Sequence, residues 1–137
     1  MKELTLEAKI ENGISLLDFV NEQLDACGCP KKIRAVIDVA VDELFSNIAY
    51  YAYKGKTGTA TVRMEIKQDP LAAELTFIDQ GIPFDPLAKA DPDITLKISE
   101  RPIGGMGIYI VKNSMDDVRY EYRDGHNVLT IRKLLRE

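Results

Sequence analysis

The hydrophobic period of this chain switches repeatedly between two and about 3.6 residues, and the order of those switches restricts the fold more than any other property. Leu4, Leu6, Ala8 and Ile10 alternate with Thr5, Glu7 and Lys9, the pattern of a half-buried strand. After a turn at Asn12-Gly13, Ile14, Leu17, Phe19, Val20 and Leu24 recur at helical spacing, and Gly28 and Pro30 end that helix. Pro30 suits the first turn of a second, longer helix running to about Tyr53, whose apolar positions include Ile33, Val36, Ile37, Ala40, Val41, Leu44 and Ile48. Gly55 and Gly58 break it. Thr59 to Lys67 alternates again, Asp69-Pro70 makes a turn, and Ala73 to Ile78 reads as a strand ending at Asp79.

From Phe84 to Pro102 the chain is punctuated by Pro86, Pro92 and Pro102, with Asp91 and Asp93 between, and reads as a long loop with room for one helical turn. Loops of that length in compact domains are usually functional lids or disordered. A third helix is expected from near Gly105 through Ile108, Ile110, Val111 and Met115. Val118 to Tyr122 and Val128 to Lys133 then flank Asp124-Gly125, a hairpin signal. Adjacent strands with only three helices predict an α+β sandwich: a mixed, mostly antiparallel sheet with three helices on one face, as a single domain over residues 1–137.

Composition narrows the function. With 45% apolar and 29% charged residues the chain has the make-up of a globular protein able to bury a core without staples. A net charge of −4 argues against nucleic-acid binding through a basic surface. No apolar run spans a bilayer and Met1-Lys2-Glu3 opens no signal-peptide pattern, so a cytoplasmic protein without membrane contact is expected. Cys27 and Cys29 stand one residue apart, too close for an unstrained disulfide. With His126 the only other strong soft ligand, they are expected to be reduced thiols rather than a zinc site.

Three short motifs carry the chemistry: Glu43-Leu-Phe-Ser-Asn47, Asp79-Gln-Gly81-Ile-Pro83, and Gly104-Gly105-Met106-Gly107. Glu43 and Asn47, four residues apart, share one helix face with Val36 and Ala40. Taken alone this favours a partly exposed Glu with an Asn toward the helix end. The sharper reading is a general base with an amide oxygen on Mg²⁺, a hard cation that takes oxygen ligands. Asp79 at the end of an apolar strand could be an ordinary turn-former. It could also accept a hydrogen bond from an adenine amino group, with Gly81 allowing the backbone close to the base. The glycine-rich entry to the third helix could be mere flexibility, or a cradle of free N–H groups for phosphates. It is neither a Walker loop nor a dinucleotide fingerprint. Together the three describe a nucleotide pocket of the kind a phosphotransferase needs.

At these positions the chain resembles the GHKL ATPase superfamily, which includes gyrase, histidine kinases and MutL. Glu43-x-x-x-Asn47, Asp79-x-Gly81 and Gly105-x-Gly107 look like its N box and two glycine boxes. Tyr51-Ala52-Tyr53, Pro83-Phe84-Asp85-Pro86, Gly107-Ile108 through Met115-Asp116-Asp117-Val118, and Tyr122 through Asn127 to Lys133 look like its anti-sigma factor serine/threonine kinase branch. The resemblance covers essentially the whole chain. It implies a Bergerat-type ATP-binding fold with ATP and Mg²⁺ between the helices and the lid. Glu43 would be the catalytic base, Asn47 the metal ligand, Asp79 the adenine reader, and Gly105 and Gly107 phosphate contacts. Two departures stand out: Pro83 where a second glycine is common, and Tyr51 where the branch often has histidine.

The leading expectation is therefore an ATP-dependent protein serine/threonine kinase that also acts as an anti-sigma factor. Its acceptor would be a serine on an anti-anti-sigma protein, a sigma factor would be held by another surface, and the resemblance implies a homodimer. The alternative is a non-catalytic ATP-sensing module that sequesters a partner, which would not require Glu43. A histidine-kinase catalytic half would need an upstream helix with a phosphoacceptor histidine, which this sequence does not carry.

Overall fold

The computed structural model describes residues 1–88 and 106–136 of the chain. Five strands and three helices follow the order β1 (Lys2–Glu7), α1 (Gly13–Ala26), α2 (Lys31–Asn47), β2 (Thr59–Lys67), β3 (Ala72–Asp79), α3 (Met106–Ser114), β4 (Asp117–Arg123) and β5 (His126–Leu134). The strands form one sheet in the order β1-β2-β3-β5-β4. The expected mostly antiparallel sheet is antiparallel at every pairing among the described residues. The β3–α3–β4 connection does join two strands that run the same way, but β5 inserts between them and bonds antiparallel to both.

Register puts the apolar positions in rows. Val62 faces Phe77, which faces Leu129, and Leu129 faces Tyr120. One row along, Met64, Leu75, Ile131 and Val118 line up in the same way. Because strand side chains alternate between faces, these rows share one surface. The helices cover it: Leu16, Val20 and Leu24 of α1, Ile33, Ile37, Ala40, Val41, Leu44 and Phe45 of α2, and Ile108 and Val111 of α3 are buried with the strand rows in one core. The opposite face is tied by polar pairs, Thr5 with Thr61 at 2.8 Å, Thr76 with Thr130 at 3.2 Å, and Arg63 with Glu3 at 3.1 Å.

Two boundaries differ from the sequence expectation. The first strand ends at Glu7 rather than Ile10, because the Asn12 side chain donates to the Glu7 carbonyl at 2.9 Å and Ile10–Asn12 close into a 3₁₀ turn ahead of α1. The long second helix changes hydrogen-bond pattern after Asn47, and Ile48–Ala52 form a single π-helical turn. Such turns concentrate at functional sites, and hydrophobic spacing does not announce them. The hairpin signal at Asp124-Gly125 holds, with φ of 54° and 79° at the two turn residues, the left-handed pair that a tight two-residue connection requires. Both cysteines carry free thiols, and burial pushes that of Cys29 up.

One carboxylate is placed at a cost to the fold. Asp38 of α2 has a shielded Oδ1 without a hydrogen-bond partner among the described residues, as does Asn21 Oδ1 of α1. Burial pushes the Asp38 carboxyl above the usual range, with Asn21 and Arg34 pulling it back and Asp25 adding to the rise. A carboxyl that holds its proton more tightly when folded contributes stability below its ordinary value and loses it as pH rises through the folded one. Asp38→Asn should therefore melt higher than the parent at neutral pH, with the difference narrowing in acid. Thermal unfolding at two pH values checks this.

Candidate functional site

A cavity of about 310 Å³ opens between α2, the π turn, the start of α3 and the end of the sheet. That is the lower end of the size range of small-molecule sites. Its walls are mainly apolar, from Leu44, Ile48, Ala52, Phe77, Ile108 and Leu129, with Tyr51, Ile82, Phe84 and Pro86 at the turn side. The polar groups reaching it are few: Asn47, Asp79 and Asn127.

Asp79 ends β3 on the helix-facing side of the sheet, one step beyond the Phe77 row, and is only 6% exposed. Its Oδ1 accepts the Gly81 N–H at 2.8 Å and an Asn127 Nδ2–H at 2.9 Å. Oδ2 is thereby left as the carboxylate oxygen without an internal donor among the described residues. Gly81 is confined by its neighbour: a Cβ there would overlap the Ala52 carbonyl oxygen at the end of the π turn. That carbonyl accepts the Ile82 N–H at 2.9 Å. The glycine thus lets the turn after β3 lie directly on the backbone of the π turn. Tyr53 braces the same junction, donating to the Thr59 carbonyl and accepting the Gln80 N–H at 2.9 Å, while its ring covers Gly58. Burial raises the Tyr53 hydroxyl.

Asn47 lies in the last turn of α2, half-buried at the cavity wall, and its side chain caps nothing. Glu43 is one turn earlier on the same face, about 6 Å along the axis. It lies outside the lining of the cavity and packs instead against the first turn of α3, where a Cβ on Gly107 would overlap the Glu43 carboxylate. A carboxylate at the positive end of a helix is favourably placed. Of the residues singled out from the sequence, Asn47 and Asp79 therefore meet in one cavity with Gly81 at its turn, and Glu43 meets Gly107 beside it. Gly105 lies outside the described residues, as does the expected lid beyond Ala88, although Pro86–Ala88 do form the one helical turn anticipated there. Tyr51, the departure from histidine, lines the cavity while 52% exposed.

Sequence reasoning gave Asn127 no role. It stands in the Tyr122–Lys133 stretch that resembles the kinase branch, with no contact assigned to it there, and only the register makes it the cross-strand partner of Asp79. Helix Ile48–Ala52 was likewise missed as a cavity wall.

The model of the histidine kinase-like ATPase domain matches residues 6–133. The chain belongs to the histidine kinase-like ATPase domain family. Similar relatives include a serine-protein kinase RsbW from Bacillus cereus, 31% identical over 103 residues, a match covering 72% of this chain and 63% of that protein. One from Bacillus mycoides is 30% identical over the same coverage. The chain thus spans about 63% of the length of these curated relatives. The fold is shared with the solved RsbU and RsbW domains of a Mycobacterium tuberculosis protein, with a TM-score of 0.65 and 16% identity over 98% of this chain and 33% of that one. A blue-light activated histidine kinase domain from Erythrobacter litoralis gives a TM-score of 0.56 and 17% identity over 77% of this chain and 46% of that one. No described helix of this ATPase-family domain is long and apolar enough to cross a membrane.

The donor set fits a nucleotide. A mainly apolar slot would suit a flat ring, the oxygen of Asp79 left without an internal donor among the described residues could accept an amino hydrogen, and the Asn47 amide could offer an oxygen to a hard cation.

Proposed function

We propose that this histidine kinase-like ATPase domain binds Mg²⁺-ATP and acts as a protein serine/threonine kinase, with an anti-anti-sigma protein as acceptor and a sigma factor as the target it restrains. The observation that carries the reading is the convergence of Asp79 and Asn47 on one apolar cavity, with Glu43 a helical turn away against the start of α3. The similarity to serine-protein kinases RsbW supports the choice of reaction.

In this reading Asp79 Oδ2 accepts a hydrogen bond from the adenine amino group, while the apolar walls exclude water from the ring. Asn47 turns its amide oxygen to the metal. Gly105 and Gly107 would contact the phosphates. Bound Mg²⁺-ATP supplies the phosphoryl group and neutralises charge as it transfers. Glu43 orients the acceptor serine and takes its hydroxyl proton. The sigma factor binds a surface other than the cavity, and the protein works in the cytoplasm as a homodimer.

Calorimetric titration tests the binding half. ATP should bind in the presence of Mg²⁺ and more weakly when the metal is chelated, and Asn47→Ala should remove that metal dependence together with activity. ATP binding that ignores Mg²⁺ in the parent would take Asn47 out of the metal role.

A further inference from the structure

Asn127 is the point at which β3, β4 and the turn after β3 are tied together. It is 7% exposed and is the cross-strand partner of Asp79. Every hydrogen-bonding position of its amide is engaged. Nδ2 donates to Asp79 Oδ1 at 2.9 Å and to the Ile82 carbonyl at 2.9 Å. Oδ1 accepts the Phe84 N–H at 3.1 Å and the Tyr120 hydroxyl. Chemistry sets this orientation: a carboxylate and a carbonyl can only accept, and a backbone N–H can only donate, so the amide cannot be reversed. An amide with two donors and two acceptor positions all engaged has nothing left to offer a ligand. What it holds, however, is the cavity itself. It pins the Asp79 oxygen that does not face the base, and it anchors the backbone of Ile82 and Phe84, whose side chains form the turn-side wall.

We infer that Asn127 is a positioning residue that couples base recognition by Asp79 to the seating of the Ile82–Phe84 wall, without itself hydrogen-bonding the nucleotide. The inference rests on the nucleotide reading above. Its consequence is that base selectivity and the order of the turn after β3 respond together to changes at a residue outside the three motifs. Tyr120 extends the tie to the edge strand, and burial raises its hydroxyl, which keeps it a donor.

The test uses the full chain with ADP and GDP as probes. Asn127→Asp preserves size and the acceptor for the Phe84 N–H, but turns an oxygen rather than a donor toward Asp79 and the Ile82 carbonyl. ADP affinity should fall about tenfold or more, as expected when a buried hydrogen bond to a charged group is lost. The ADP-over-GDP ratio should contract with it, while hydrogen exchange at the Phe84 amide stays slow. Asn127→Leu should contract the ratio as well. A merely structural residue would change melting temperature and leave the ratio alone, so an unchanged ratio in both variants overturns the inference. Should neither variant fold, the parent decides: both side-chain amide protons of Asn127 should exchange slowly by NMR and keep their partners when ADP is added. Free exchange, or a new partner in the ADP complex, contradicts the positioning role. A parent that binds neither nucleotide defeats the nucleotide reading, while the amide measurement still reports on the tie.

Discussion

Glu43→Gln should slow phosphate transfer from ATP to the acceptor protein by about 100- to 10,000-fold, the usual contribution of a positioned general base. ATP affinity should stay within a few-fold of the parent. The reasoning is geometric. Gln has the length of Glu, so the close approach to Gly107 at the start of α3 is retained and α2 and α3 keep their packing. Glu43 does not line the cavity, so nothing that holds the base changes. What the substitution removes is the proton-accepting carboxylate that the proposed base role requires. Single-turnover transfer of labelled phosphate measured beside calorimetric ATP binding separates the two quantities. Equal rates for Gln and Glu would assign Glu43 to helix packing alone.

Asp79→Asn should weaken ATP binding by about ten- to a hundredfold, the range for losing a charge-assisted hydrogen bond in a shielded site. The amide oxygen of the new side chain can replace Oδ1, because the Gly81 N–H and the Asn127 Nδ2–H both require an acceptor there. The new NH₂ must then stand where Oδ2 was and meet the adenine amino group donor to donor. Guanine presents a carbonyl at the corresponding edge, so the variant should lose its preference for ATP over GTP. Titrating both nucleotides against parent and variant gives the ratio directly. A parent that binds GTP as tightly as ATP would remove Asp79 from base recognition.

Much of the fold around this candidate site is legible in the sequence, and the reasons are specific. The strand ending at Asp79 and the helix carrying Glu43 and Asn47 are long and strongly periodic, so their faces follow from spacing. Asp124-Gly125 declared its hairpin because that turn requires left-handed residues. Three features did not declare themselves. The π turn at Ile48–Ala52 differs from an α-helix only in backbone hydrogen bonds, and Ala-Tyr-Tyr-Ala is compatible with either. The insertion of β5 between β3 and β4 is a long-range choice that local pattern does not record. Asn127 looked like one more hairpin residue until register set it opposite Asp79. The sequence suggests that Gly81 lets the backbone approach a base; the structure gives the glycine a different reason, the Ala52 carbonyl in the space a side chain would fill.

The central claim is that a chain with this cavity transfers phosphate rather than only sensing nucleotide. The most direct measurement incubates the parent protein with Mg²⁺ and γ-labelled ATP and an anti-anti-sigma protein that it demonstrably binds, and then locates the label. The account predicts label on a serine of the acceptor, with transfer falling by about 100-fold or more in Glu43→Gln. An acceptor that stays unlabelled while ATP and acceptor are both bound would contradict it, and would make this domain an ATP-sensing module that sequesters its partner.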